Sequence, residues 1–217
     1  MEKMIWIKNI DEYLRKKGQK KNSILRIGFK FKKKIFSKLY AKNTSEHYIV
    51  KDVVNFGEDA QVFWDKIRDN FDLIIERNPE YLNHRYCDPR AGKYTVKGVY
   101  RGDEMLGYGV TVVRENGKIC ERKILDFLSL PGEQDAADIL LKHILNDKID
   151  EIDSVEAWIV KNSYTYQTFR KNSFVTYNDK DLYLYLNSVS RENEEWNHLH
   201  DSHPDKIHFV MGDTDLM

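Results

Sequence analysis

Apolar positions recur at two spacings along the chain, and the switches between them divide it into elements. Between residues 5 and 17, Ile7, Ile10 and Leu14 fall at helical spacing before Gly18 and the polar run 19–22, which predicts a first helix. Ser23 suits the N-cap of a second helix over 24–40, where Ile24, Ile27, Phe31, Ile35 and Leu39 share one face. Arg26, Lys30, Lys33, Lys34 and Lys38 lie opposite, so this helix is basic and amphipathic, with Gly28 weakening its middle. Beyond residue 45 helices and strands alternate. A strand is predicted over 46–54 and an amphipathic helix over 57–70. Asn78-Pro79 starts another helix, with Asn as cap and Pro at the first helical position, running to about residue 86.

Three strands follow, over 94–100, 106–113 and 118–130. The last two are joined by Asn116-Gly117, a type I′ turn signal. Residues 124–130 are apolar on both faces, as a central strand requires. Then come a helix over 134–145, a strand over 154–160, a helix over 162–171 and strands over 174–177 and 182–186. A helical stretch over 192–198 and a strand over 207–211 close the pattern. An antiparallel meander followed by strand–helix–strand–helix–strand predicts an α/β protein with a mixed sheet and helices packed on it.

Composition narrows the classes. Apolar runs such as 4–7 and 157–160 are only a few residues long, too few for a membrane-spanning helix or a signal-peptide core. Two cysteines, Cys87 and Cys120, make neither a disulfide framework nor a metal set, and a reduced, cytoplasmic protein is expected. The formal net charge of zero conceals a division. Residues 1–44 carry 14 Lys+Arg against 3 Asp+Glu, and residues 45–217 carry 21 against 32. The expected organisation is therefore a basic helical leader or linker over 1–44 and an acidic α/β domain over 45–217. The 24–40 helix suits packing on a neighbouring domain or a second copy of the chain. It equally suits an anionic membrane surface, which would make the protein peripheral to the inner membrane face. No helix-turn-helix, zinc spacing or aromatic RNA-binding pattern supports a specific nucleic-acid partner. His198, His200 and His203 lack a completing cysteine or carboxylate, and no metal is expected.

Two local motifs stand at the borders of the α/β pattern. They are Arg77-Asn78-Pro79-Glu80-Tyr81-Leu82-Asn83-His84-Arg85-Tyr86 before the meander and Met211-Gly212-Asp213-Thr214-Asp215 near the end. With the element order, they make residues 47–185 resemble the GNAT superfamily of acyl-CoA-dependent N-acyltransferases. The resemblance is to the GNAT-type domains found beside surface-polysaccharide biosynthesis functions. It implies a GNAT-like, mostly antiparallel sheet whose central strand and the next one splay apart to take an acyl-CoA, with acetyl-CoA the simplest case. It also implies an acceptor that is a small-molecule amine or amino sugar. By the same resemblance, Phe127, Leu128, Ser129 and Leu130 offer main-chain groups to pantetheine. Gly132, Gln134, Asp135, Ala136 and Ala137 face the pyrophosphate, and Asn162 serves the pantetheine or caps its helix.

The chain departs from the family in three places. Gly132 stands where Gln or Arg is usual, and Asp135 and Ala137 where glycines are usual. Glu133, Asp135 and Asp138 bring carboxylates to a site for a polyanion. The tyrosine that protonates the departing thiolate in many members is replaced by Phe169, leaving Tyr166 or Tyr164 from another turn. Ser173 stands where a glycine precedes Phe174. A plain aromatic cluster of Tyr166, Phe169 and Phe174 is the competing account.

Alternation groups Asp126 with Ile124, Leu128 and Leu130 on an apolar face, where burial would raise its pKa toward that of a general base. A structural carboxylate bonded to backbone or to an arginine such as Arg85 is the alternative. Glu121 falls on the opposite face by the same count. Tyr81, Arg85 and Tyr86 could hold an acceptor's hydroxyl or carboxylate, or anchor their helix. Three readings follow: an N-acyltransferase, an inactive GNAT-fold binding or scaffold module, and a peripheral membrane-binding protein.

Overall fold

The structure is a computed structural model that describes residues 1–18, 47–147, 151–176 and 202–214. Among them seven strands form one sheet in the order β2-β3-β4-β5-β6-β1-β7. The strands are β1 (Glu2–Ile7), β2 (Ile49–Asp52), β3 (Thr95–Arg101), β4 (Glu104–Asn116), β5 (Ile119–Ser129), β6 (Ser154–Ile159) and β7 (Val175–Thr176). Only β5 and β6 run parallel; every other neighbouring pair is antiparallel. The helices are α1 (Ile10–Lys16), α2 (Glu58–Ile67), α3 (Pro79–Leu82), α4 (Gln134–Asn146) and α5 (Tyr164–Lys171).

The first segment differs from its expected form. Residues 2–7 are a strand between β6 and β7 rather than the start of a helix. The run Met4-Ile5-Trp6-Ile7 suits that place because both faces of an interior strand are covered. Met4 packs toward α4, whereas Ile5 and Ile7 pack with Ile10, Tyr13 and Leu14 of α1. A four-residue apolar run fits strand and helix equally in periodicity, and length alone misleads here. The helix begins later, where Asn9 Oδ1 accepts from Asp11 N (3.0 Å) and Glu12 N (3.4 Å). Residues 1–18 are thus built into the α/β sheet. The predicted 24–40 helix, the strand over 182–186 and the stretch over 192–198 lie outside the described residues.

The meander, α2, α4, β6 and α5 follow the expected pattern. Asn78 caps α3 through Tyr81 N (2.8 Å), with Pro79 at the first position, and a π turn continues through Asn83–Cys87. A last strand over 207–211 does not form. Ile207 makes one isolated parallel bridge to Leu73, flanked by 3-10 turns at Pro204–Lys206 and Met211–Asp213. One face of the sheet carries α4 and α5 over Ile124, Phe127, Ala157 and Ile159. The other carries α2 and α3 over Tyr108, Val110, Leu125 and Leu128, with α1 over the β1 end. Phe63, Trp64 and Ile67 anchor α2 there, each worth roughly 1.5–3 kcal/mol of burial.

One irregularity positions everything that follows. Against β4, Asp126 pairs with Val110 and Ile124 with Thr111, so Leu125 is the extra residue of a β-bulge. Pairing of β5 with β6 ends at the same place, Ile124 with Ala157. Beyond it, residues 125–129 keep β4 on one side and, among the described residues, have no strand on the other. The bulge also resets alternation: Ile124 and Phe127 share the α4 face, whereas Leu125, Asp126 and Leu128 share the α2–α3 face. Glu121 precedes the bulge opposite Ser154, on the face of Trp158, and therefore lies on the same face as Asp126. The expectation that they oppose each other is corrected, because uniform alternation cannot anticipate an inserted residue.

Candidate functional site

The divergence of β5 from β6 is the opening in which the resemblance puts an acyl-CoA. Residues 202–214 lie across it and touch both lips. On the β6 side, Asp205 Oδ1 accepts from Tyr164 N at 2.5 Å, at the start of α5. On the β5 side, His208 Nε2 stands 3.3 Å from Asp126 Oδ1, and Gly212 packs against the Leu125 carbonyl. The segment is also stitched to residues 71–73, through Asp72 N to Lys206 O (2.8 Å) and His208 N to Leu73 O (2.8 Å). A remnant cavity of about 10 Å³ remains between Ile159, Ser163, Tyr164 and residues 205–210. That is room for about one water.

Asp126 sits at the centre of a buried network. Its Oδ2 accepts from Arg77 Nε (2.8 Å) and Tyr108 Oη (3.0 Å), and its Oδ1 faces the His208 ring. Arg77 spends its other donors on Ile75 O (3.0 Å), Glu76 O (3.3 Å) and the carboxylate of Asp213. The side chains of Arg77, Asp126 and Asp213 are all fully buried. Asp213 in turn accepts from Val210 N (3.0 Å), while Arg85 donates from Nε to Gly212 O (3.0 Å) and from Nη2 to Thr214 O (3.3 Å). Burial alone would raise the Asp126 pKa, but the Arg77 charge and the His208 and Tyr108 contacts outweigh it and hold the carboxyl below its ordinary value. The expected upward shift is therefore reversed. The arginine that fixes Asp126 is Arg77 rather than Arg85. Burial and the Asp126 charge together push the Tyr108 hydroxyl far up, so it stays protonated and donates to Asp126.

The expected substrate residues point into this network. Arg85 holds the 212–214 backbone. Tyr86 is buried with its hydroxyl unpartnered and directed at Gly212, where a Cβ would collide with it. Tyr81 lies beside Arg77, whose guanidinium carbon is 5.5 Å from the ring centroid. Arg77, Tyr108, His208, Gly212 and Asp213 are the members that sequence reasoning did not single out. Arg77, Gly212 and Asp213 stood inside the two quoted motifs, and the signal available was only that both motifs pair a charge with a glycine or proline turn.

The turn before α4 differs from the site around Asp126. Phe127 and Leu128 are core side chains, and Leu130 N returns to Leu106 O (2.9 Å). Gly132 takes φ +90, a left-handed backbone that glycine allows, before Gln134 opens the helix. Ala136 and Ala137 face inward as core, whereas Gln134 and Asp135 are exposed. The Glu133 carboxylate is drawn aside by Arg101 Nη2 (2.9 Å) and Tyr48 Oη (3.3 Å), and Asp138 accepts from Asn172 Nδ2 (3.0 Å). At the start of α5 the cap is Ser163, through Tyr166 N (3.1 Å), and Asn162 is exposed at φ +65. Tyr166 packs on the core beside Phe169 and Phe174. Tyr164 instead sends its hydroxyl across the opening to donate to Ser129 O at 2.8 Å, and burial pushes its pKa up to about 12.

Glu121 is the second acidic group on the sheet face that carries Asp126. Burial first, and the neighbouring Glu156 second, raise its pKa. Its Oε1 accepts from Ser154 Oγ (3.4 Å), and Glu156 itself is held by Lys3 at 3.0 Å. Among the described residues no group of His, Cys, Asp and Glu is placed to hold a metal ion, and His203 pairs with Asp205 at 3.3 Å. Nor is any described helix long and apolar enough to cross a membrane.

No family model and no curated protein matches the chain. Among solved structures it is similar to a probable acetyltransferase, at 15% identity and a TM-score of 0.45, over 66% of this chain and 99% of that one. It is also similar to an integron cassette protein from the mobile metagenome of V. cholerae, at 15% identity and a TM-score of 0.46, over 73% of this chain and 100% of that one. Identity at this level leaves each site residue to be judged on its own geometry.

Proposed function

We propose that the protein is a GNAT-type N-acyltransferase that takes an acyl-CoA along β5 and an amine, such as an amino sugar, as acceptor. The observation that carries this reading is the coincidence of the Leu125 bulge with the end of β5–β6 pairing. It leaves an extended stretch of main chain beside β6, leading through Gly132 to the exposed first turn of a 13-residue helix. An acyl-pantetheine arm is extended and bonds to such a strand, and its phosphates suit helix-terminal amides.

In this mechanism the acceptor nitrogen attacks the thioester carbonyl, main-chain amides after the bulge polarise its oxygen, and the C–S bond breaks. The Tyr164 hydroxyl, still protonated at neutral pH, gives its proton to the departing thiolate. Glu121, with a raised pKa and on the acceptor's face, takes the proton of the attacking amine through water. Asp126 does neither, being committed to Arg77; it holds the shape of the site. Tyr164 replaces Tyr166 as the acid because only Tyr164 reaches the opening.

Acetyl-CoA titrated calorimetrically into the full chain should give a binding isotherm with one site. Absence of heat up to millimolar ligand sinks the reading. If ligand binds, Tyr164→Phe and Glu121→Gln should each lower kcat by about 10²-fold with KM little changed.

A second reading, a non-catalytic module of the same fold, is favoured by one observation. Residues 202–214 fill the opening and are fixed there by Asp126 and Asp205. Under it the opening stays shut, and no acyl-CoA concentration displaces the segment.

A further inference from the structure

Residues 202–214 are held at two depths. At 212–214 the backbone is clamped by Arg85, and Asp213 is buried against Arg77. Pulling that end out would break the buried Arg77–Asp213 ion pair and the Arg85 bonds together. Residues 202–208 are held more lightly. Their ties include three backbone bonds to 72–73, the Asp205–Tyr164 bond, Ser202 Oγ to Asp72 Oδ2 (2.7 Å), and the buried His208, 3.3 Å from Asp126 and 5.7 Å from the Phe71 ring centroid. His203 and Lys206 are exposed, and Asp205 is partly so.

The same light half covers the groups an acyl arm would use. Asp205 occupies the first amide of α5, and His208 lies between α5 and β5. The cavity beneath, about 10 Å³, admits no acyl chain. Segment and arm therefore exclude each other.

We propose that residues 202–208 are an autoinhibitory strap, hinged near Val210, that swings off the β5–β6 opening to admit acyl-CoA while 211–214 stays clamped. The proposal rests on the acyl-CoA reading above and adds its regulation. Binding then selects the strap-open fraction, so anything that loosens the strap raises the apparent affinity by the increase in that fraction. Asp205→Ala removes the bond to Tyr164 N and the contact with His203, and leaves the Tyr164 hydroxyl and Glu121 in place.

Hydrogen exchange of the full chain, with and without acetyl-CoA, tests this together with calorimetry on Asp205→Ala. The expected result is faster exchange at 206–208 when acetyl-CoA is bound, and about five- to tenfold tighter binding by Asp205→Ala. Asp205→Asn, which keeps the shape, should fall between the two proteins. If acetyl-CoA binds but exchange at 206–208 is unchanged, or Asp205→Ala binds no tighter, the strap is wrong and the acyl-CoA reading stands. If neither protein binds acetyl-CoA, the acyl-CoA reading fails and takes the strap with it.

Discussion

β5 carries one acidic side chain on each half of the same face, and the two halves treat them oppositely. Glu121 lies where β5 is paired on both sides; Asp126 lies just past the bulge, where β6 has left. Asp126 is the more buried, yet its pKa falls while that of Glu121 rises. Burial pushes both up; the neighbouring groups reverse that direction for Asp126 and add to it for Glu121. Asp126 meets Arg77, whereas Glu121 meets Glu156. Where β6 has left, the carboxylate is fixed by Arg77, and the Tyr164 hydroxyl takes the Ser129 carbonyl across the opening. Where pairing continues, the carboxylate of Glu121 meets another acid and keeps its proton to higher pH.

The comparison breaks first at Arg77. Arg77→Met keeps the volume but leaves Asp126 and Asp213 as buried carboxylates without their cation. A loss of about 3–5 kcal/mol is expected in urea unfolding. A loss under about 1 kcal/mol would mean the network is not buried as described.

Gly212→Ala tests the other end of that network. A Cβ there meets the Tyr86 hydroxyl and the Leu125 carbonyl, and a cost of about 1–3 kcal/mol is expected. Tyr86→Phe removes an unpartnered buried hydroxyl and should be neutral or slightly stabilising by itself. In the Gly212→Ala background it should recover part of the loss. Additive effects of the two changes would show that they do not touch.

The contrast between the two acids sharpens with pH. Asp126 has a depressed folded pKa, so its stabilisation is complete above the unfolded value of about 3.9 and is lost as pH falls through the folded one. Glu121 has a raised folded pKa, so the folded state holds its proton longer. Stability then declines as pH rises from about 4.3 through the raised value. Glu121→Gln should abolish that decline and raise stability at pH 7, leaving the acid limb unchanged. An unaltered slope between pH 4 and 7 would remove Glu121 as a titrating group.

Much of this arrangement could be read from residue order, and the failures have identifiable causes. Asn78-Pro79 and Asn116-Gly117 mark their turns because cap and turn chemistry is local. The apolar stripe of α4 is equally local. Leu125 is not: a bulge is set by what the partner strands do, so simple alternation puts Glu121 on the wrong face. Residues 4–7 failed for a related reason, since only the tertiary slot between β6 and β7 decides strand over helix. Asp213 and Arg77 lie 136 positions apart, and no spacing rule joins them. Tyr164 and Tyr166 are separated by one residue, yet only the register of α5 on the sheet sends the first into the opening.

The smallest effect lies at the end of α5, where the chain departs from the glycine usual in its resemblance. Ser173 has φ +69, Ser173 N bonds to Arg170 O (3.2 Å), and Phe174 N bonds to Phe169 O (3.1 Å). These are the two bonds of a Schellman termination, and the Phe169–Phe174 contact, with centroids 4.7 Å apart, is its apolar clasp. A left-handed serine costs roughly 1–2 kcal/mol that glycine avoids, though glycine loses more chain entropy on folding. Ser173→Gly should therefore stabilise the protein by about 0.5 kcal/mol, raising the urea midpoint with the slope unchanged. A lower midpoint would mean that Ser173 is not left-handed and that α5 ends in another way.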